Sequence, residues 1–114
     1  MQPCLFCRII EHQAPAKIVF EDERVVAIED IHPQAPVHLL ILPRHHLASL
    51  REASAEDEAV LGRLLTVAAQ LARERQLDSK GYRAVINTGS LAGQSVFHVH
   101  VHVLGGRAFQ WPPG

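Results

Sequence analysis

Long apolar runs are missing from this 114-residue chain. No stretch approaches the ~18 consecutive apolar residues of a membrane span. The opening MQPCLFCRIIEHQ becomes polar and charged too early for a secretory leader, so no membrane association and a cytoplasmic location are expected. A basic excess is missing as well: eleven Lys and Arg face twelve Asp and Glu, for a formal net charge of −1. A nucleic-acid backbone is therefore disfavoured as a partner. A single phosphorylated metabolite stays open, because a local site needs no net charge. Cysteine is scarce, and its two copies, Cys4 and Cys7, stand too close together to brace a fold as a disulfide. In a reducing compartment that spacing points to a metal clip or a redox pair, with two unmodified core thiols as the plain alternative. Internal repeats, low-complexity segments and linkers are absent. The length predicts one domain over residues 1–114, burying ~65% of its unfolded surface.

The segments that remain read as an α+β domain. CLFCRIIEH predicts a short helix with Phe6, Ile9 and Ile10 on its apolar side. AKIVFED and RVVAIEDI, separated by Glu21-Asp22-Glu23, predict a hairpin. VHLLILP predicts a third, nearly continuous apolar strand ended by Pro43. The long helix spans SAEDEAVLGRLLTVAAQLARERQ. Ser54 is its N-cap, Asp57 completes a capping box, and apolar positions run at helical spacing from Val60 to Ala72. YRAVIN predicts a fourth strand and FHVHVHVLG a fifth, joined by the glycine- and serine-rich TGSLAGQS. Short links between most strands predict an antiparallel five-stranded sheet with the long and the short helix on one face.

The fifth strand carries the unusual pattern. His98, His100 and His102 alternate with Val99, Val101 and Val103, so the imidazoles share one face of a strand and the valines the other. A solvated face would explain the polarity, though not the strict alternation in so apolar a strand. A catalytic metal site would use the His-x-His pair, but no carboxylate lies within the strand to complete it. Covalent catalysis fits best, with one imidazole as nucleophile and its neighbours handling protons and charge. The preceding loop offers Asn87, Ser95 and backbone amides around Gly89 and Gly93. It is either a plain connection or an anion-binding nest. Beside three histidines, a nest points to phosphoryl or nucleotidyl transfer.

HVHVHVL matches the His-φ-His-φ-His-φ-φ signature of the histidine-triad (HIT) superfamily, φ being hydrophobic. HVHVHVLGGR with the ending WPPG resembles its Hint branch, the nucleoside phosphoramidases. The likeness extends through CLFCRII, PAKIVFED, DIHPQAPVHLLILPRHH, GYRAVINTGS and GQSVFHVHVHVLGGR, nearly the whole chain. It implies the HIT fold and a homodimer whose two sheets join into one of ten strands. It implies His100 as nucleophile on the α-phosphorus, His102 on the phosphate, His98 positioning the site and Ser95 on the bridging or leaving atom. Asn87 and the backbone at Gly93-Gln94-Ser95 would hold phosphate oxygens. Asp30 would accept from the ribose hydroxyls, and Phe6, Ile9, Ile28, Ile31 and Leu40 would line a slot for a purine. On the residues alone, Asp30 also suits a turn cap, Ile31 a core position and His38 a satisfied core histidine, which the family makes a support of the triad. Trp111, the single tryptophan, is either a dimer anchor or a visitor to the partner's site. The implied reaction is hydrolysis of a purine nucleoside 5′-phosphoramidate. The rivals are a dinucleoside polyphosphate hydrolase of the Fhit branch and a non-catalytic nucleotide-binding scaffold.

Three departures stand out. Glu29 lies where relatives often carry His or Arg, Leu91-Ala92 replaces a polar, glycine-rich pair, and His45 precedes His46. Cys4-x-x-Cys7 has the spacing of a two-thiolate zinc clip, and zinc takes four nitrogen or sulfur ligands. With no further cysteine, His46 and His98 complete the predicted structural zinc site. His45 competes with His46 for that role, since neighbours in an extended segment point opposite ways.

Overall fold

The computed structural model describes residues 4–114, and Met1 to Pro3 of the opening segment lie outside it. Its elements are α1 (Leu5–Ile10), β1 (Ile18–Glu21), β2 (Val25–Glu29), β3 (Val37–Pro43), α2 (Glu58–Glu74), β4 (Tyr82–Val85) and β5 (Val101–Gly105). The five strands form one antiparallel sheet in the order β1-β2-β3-β5-β4. The hairpin turn closes because Asp22 Oδ1 accepts the amides of Arg24 and Val25, both at 2.8 Å. Its second oxygen takes Arg63 of α2 at 2.7 Å. The capping box of Ser54 and Asp57 is formed as expected, but it caps a 3₁₀ turn, Ala55–Asp57, and α2 proper begins at Glu58.

Two expectations need correction. The helices do not share a face. Val25, Ala27, Leu39, Ile41, Val101 and Val103 point to α2 and meet Leu64, Val67, Ala68 and Leu71. The alternate residues Val26, Ile28, Leu40 and Leu42 point the other way and meet Phe6, Ile9 and Ile10 of α1. Strands covered on both sides read as continuous apolar runs, and that is the character of β2 and β3. The imidazole face of the histidine run lies on the α1 side.

The second correction concerns the strand ends. The regular part of the fifth strand starts at Val101 instead of Phe97. β3 and β5 pair Ile41 with Val101, so the next rung would set Val99 against Pro43. Proline has no amide hydrogen for that rung. Val99 donates instead to the Leu47 carbonyl at 2.6 Å. β4 likewise stops at Val85, opposite His102. Asn87, expected inside that strand, follows it. β2 ends at Glu29, short of Asp30 and Ile31.

Candidate active site

The three histidines stay on one side of the chain even where the ladder has ended. His98 is fully buried and His100 is 6% exposed. The rings of His100 and His102 lie 4.9 Å apart, and Phe6 of α1 stands edge-on to His98 and His100. The valines between them are buried on the opposite side.

Hydrogen bonds assign a proton position to each ring. A carbonyl only accepts, so a ring nitrogen bonded to one must carry hydrogen. His100 Nδ1 lies 2.7 Å from the His98 carbonyl, which leaves an unshared pair on His100 Nε2. Among the described residues that atom has no partner, and no buried side-chain nitrogen or oxygen is unpaired, so it meets the cleft. His98 Nε2 donates to the Pro43 carbonyl at 2.8 Å, leaving the pair on Nδ1. His38 Nδ1 accepts the Gln34 amide at 3.0 Å, so its hydrogen sits on Nε2. That hydrogen is aimed at His102 Nδ1, 2.9 Å away, and His102 must then present N–H at Nε2. The central histidine thus offers a lone pair and its neighbour a donor. Burial, first of all, holds His102 down to about 4, helped by the nearby His100 and His38 rings. Burial likewise lowers His98 to about 4 and lowers His100. All three rings are therefore neutral near pH 7.

His100 and His102 open onto a cleft of about 390 Å³. Of the expected slot residues, Phe6, Ile9, Ile28, Ile31, Leu40 and Asp30 all line it, as does Ser95. Ile31 is 79% exposed at the rim, which removes the core alternative for it. Asp30 performs the turn-capping role read from sequence, with Oδ1 accepting the His32 amide at 2.8 Å. Its Oδ2 stands 3.3 Å from His38 Nε2. Leu5, Pro15, Ala16, His32 and Val96 also line the cleft and were not foreseen. Leu5 had a signal, since it lies one helical turn before Ile9.

The glycine loop departs from the nest expected of it. The amides of Ala92, Gly93 and Gln94 bond back to the carbonyls of Gly89 and Ser90, so they face the loop's own backbone. The buried Gln94 side chain is also committed, accepting from Gly89 at 2.8 Å and donating to Ala48 and Val96. Gly93, with φ +91°, makes the turn possible. Of the run Gly93-Gln94-Ser95, only Ser95 lines the cleft, and Asn87 does not.

Cys4, Cys7, His46 and His98 form a second cluster. Five of its sulfur and nitrogen pairs lie 3.1–3.6 Å apart. A tetrahedral ion with bonds of ~2.0–2.3 Å needs donor separations in this range. The free pair on His98 Nδ1 points into the cluster, and its opposite nitrogen is fixed by a carbonyl, the usual support of a metal-bound imidazole. Of the two adjacent histidines, His46 is the one that joins the cluster; His45 lies in a separate cleft with Glu23, Arg24 and Arg44. Burial and the adjacent Cys4 thiol push Cys7 up to about 11, so a metal must displace protons to bind. Asp30, His38 and His102 also have ligand atoms within 4.8 Å of one another but suit a metal poorly. The Gln34 amide fixes hydrogen on the very nitrogen that would have to coordinate, and a hydrogen bond already explains the contact.

Comparison with known proteins agrees with this geometry. The model of the HIT domain matches residues 11–109. An uncharacterized HIT-like protein of Synechococcus elongatus is 49% identical over 110 residues, 96% of either chain. The crystal structure of a HIT family hydrolase from Legionella pneumophila superposes with a TM-score of 0.96 at 46% identity, covering 98% of this chain and 100% of that one. A zinc-bound histidine triad family protein from Mycobacterium smegmatis gives 0.79 at 35% identity, covering 91% and 75%. With its triad, its five-stranded sheet and this match over most of its length, the chain belongs to the HIT domain family.

Proposed function

We propose that this protein is a nucleoside phosphoramidase of the Hint branch, one domain over residues 1–114, acting on purine nucleoside 5′-phosphoramidates. The observation that carries the reading is the pairing of two neighbouring imidazoles of opposite polarity in one cleft. His100 Nε2 presents a lone pair and His102 Nε2 a hydrogen. His100 attacks phosphorus, a P–N bond to histidine forms, and the P–N bond to the amine breaks, the amine leaving with a proton drawn from solvent that the hydrolytic water of the second step replaces. His102 donates to a non-bridging phosphate oxygen, and Ser95 stands at the leaving side. Water then cleaves the nucleotidyl-histidine, releasing nucleoside monophosphate and restoring the free imidazole. Splitting one displacement into two lowers each barrier, and a neutral imidazole near pH 7 needs no prior deprotonation.

Asp30 receives the ribose hydroxyls and the apolar slot takes the base. Cys4, Cys7, His46 and His98 hold a structural zinc ion, which supplies cross-linking and no reacting atom. Gln94 and Gly93 shape the loop, and phosphate oxygens fall to Ser95 and the histidines. The protein works as a cytoplasmic homodimer. β4 is an edge strand with Tyr82 and Ala84 exposed, and Leu65 of α2 is 51% exposed, an apolar surface suited to a second copy.

A substrate panel tests the assignment: adenosine and guanosine phosphoramidates against dinucleoside polyphosphates. Phosphoramidates should lead by at least ~100-fold in kcat/KM. Faster cleavage of dinucleoside polyphosphates would move the protein to the Fhit type of activity. Nucleotide binding with no turnover of any member would make it a binding protein.

A further inference from the structure

Helix α1 belongs to two sites at once. Cys4, its N-cap, and Cys7, in its first turn, supply both sulfur atoms of the metal cluster. Leu5, Phe6 and Ile9, interleaved with them, form one wall of the cleft. The helix has six residues, well below the ~12–15 at which an isolated helix becomes even marginal in water. Phe6, Ile9 and Ile10 hold its inner side against β2 and β3. At its N-terminal end the side-chain ties reach His46, just past β3, and His98, before β5. His98 also gives its carbonyl to His100, and Phe6 packs on both rings.

We propose that the metal cluster pins α1 as a wall of the cleft, making Cys4, Cys7 and His46 positioning residues for the nucleotide, so that metal and nucleotide each strengthen the binding of the other. This rests on the cleft being the nucleotide site. With the ion bound, four short bonds fix the N-terminal end of the wall. Without it, the cysteine ties from that end to His46 and His98 weaken to S–H···N contacts of 3.3–3.6 Å. A nucleotide entering the metal-free site must then order α1 at the expense of its own binding energy. Linkage makes the effect reciprocal: whatever factor zinc adds to nucleotide affinity, nucleotide adds to zinc affinity.

Calorimetry with adenosine 5′-monophosphate as the probe tests this on three samples: zinc-loaded protein, chelator-stripped protein and His46→Ala. His46 is exposed and outside the cleft, so its removal deletes a metal ligand and no nucleotide contact. Nucleotide affinity should fall at least ~10-fold in the last two samples, within the range of ordinary couplings. Saturating nucleotide should tighten zinc, measured against a chromogenic chelator, by the same factor. Hydrogen exchange should show Leu5–Ile10 losing protection on stripping while β2 and β3 keep theirs. Equal nucleotide affinity in loaded and stripped protein would overturn the proposal. So would loss of strand protection along with α1, which would make the metal a general support of the fold. Failure of the zinc-loaded protein to bind the monophosphate would refute the nucleotide reading itself, and this inference with it.

Discussion

At the scale of single residues, the chemistry follows from which nitrogen of each ring holds hydrogen. Sequence spacing put three imidazoles on one side, but it says nothing about tautomers. Those are set by the Gln34 amide and the carbonyls of His98 and Pro43, backbone groups whose positions depend on the fold. His38 read by itself as a satisfied core histidine, with support of the triad implied only by the family likeness, and its bond to His102 favours the second role. Replacing it with Phe keeps the bulk and removes the donor. His102 then loses its fixed tautomer, so kcat should fall ~10-fold or more, with monophosphate affinity within ~3-fold of wild type. Nitrogen NMR of His102 should show a mixture of tautomers; a single Nε2–H form in the variant would contradict the role. The depressed His102 also makes stability depend on pH. Its folded value is about 4 against ~6.5 when unfolded, so the unfolded chain binds more protons between the two. The stabilisation is complete above pH 6.5 and lost as pH falls toward 4, at up to ~1.4 kcal/mol per pH unit. Denaturant titrations at pH 7 and 5 should show a smaller drop for His102→Phe than for wild type. An equal drop would assign the pH dependence to other groups.

At the scale of elements, periodicity located the long helix and all five strands but misjudged faces and ends. Continuous apolar runs such as VHLLILP do not alternate because both sides are covered, and one run cannot tell which helix covers which side. The early end of the β3–β5 ladder depends on which residue meets Pro43, a matter of register that spacing alone does not fix. Where β5 meets the end of α2, the fit is tight. A Cβ on Gly105 would lie 2.7 Å from both terminal methyl groups of Leu77, a buried residue. Gly105→Ala should therefore cost ~1–3 kcal/mol through overpacking, read from the denaturation midpoint, and Gly105→Ala/Leu77→Ala should recover part of it. No loss in the single variant would show that Leu77 moves aside freely.

At the scale of the whole molecule, the cleft drew residues from α1, the β2–β3 connection and the triad segment, which lie far apart in sequence. Its slot residues were legible through the family pattern. The loop's inward amides were not, because a glycine-rich sequence shows where a turn can form and not which way its N–H groups point. The exposed edge at β4 and the partly bare α2 lead to the expectation of a dimer at micromolar concentration, its two-fold interface self-complementary. Sedimentation should report about twice the 12.6 kDa chain mass. A 12.6 kDa species throughout that range would rule the dimer out.

The central claim is that His100 becomes covalently nucleotidylated, and trapping tests it most directly. Wild-type protein mixed with adenosine phosphoramidate, quenched within a turnover and digested under conditions that preserve P–N bonds, should yield a peptide carrying adenylate on His100. His100→Ala should yield none and lose at least ~10³-fold in kcat while still binding the monophosphate, as expected when a nucleophile is removed and binding groups remain. Adenylate on His98 or His102 instead, or a tenth of wild-type activity surviving in His100→Ala, would contradict the account.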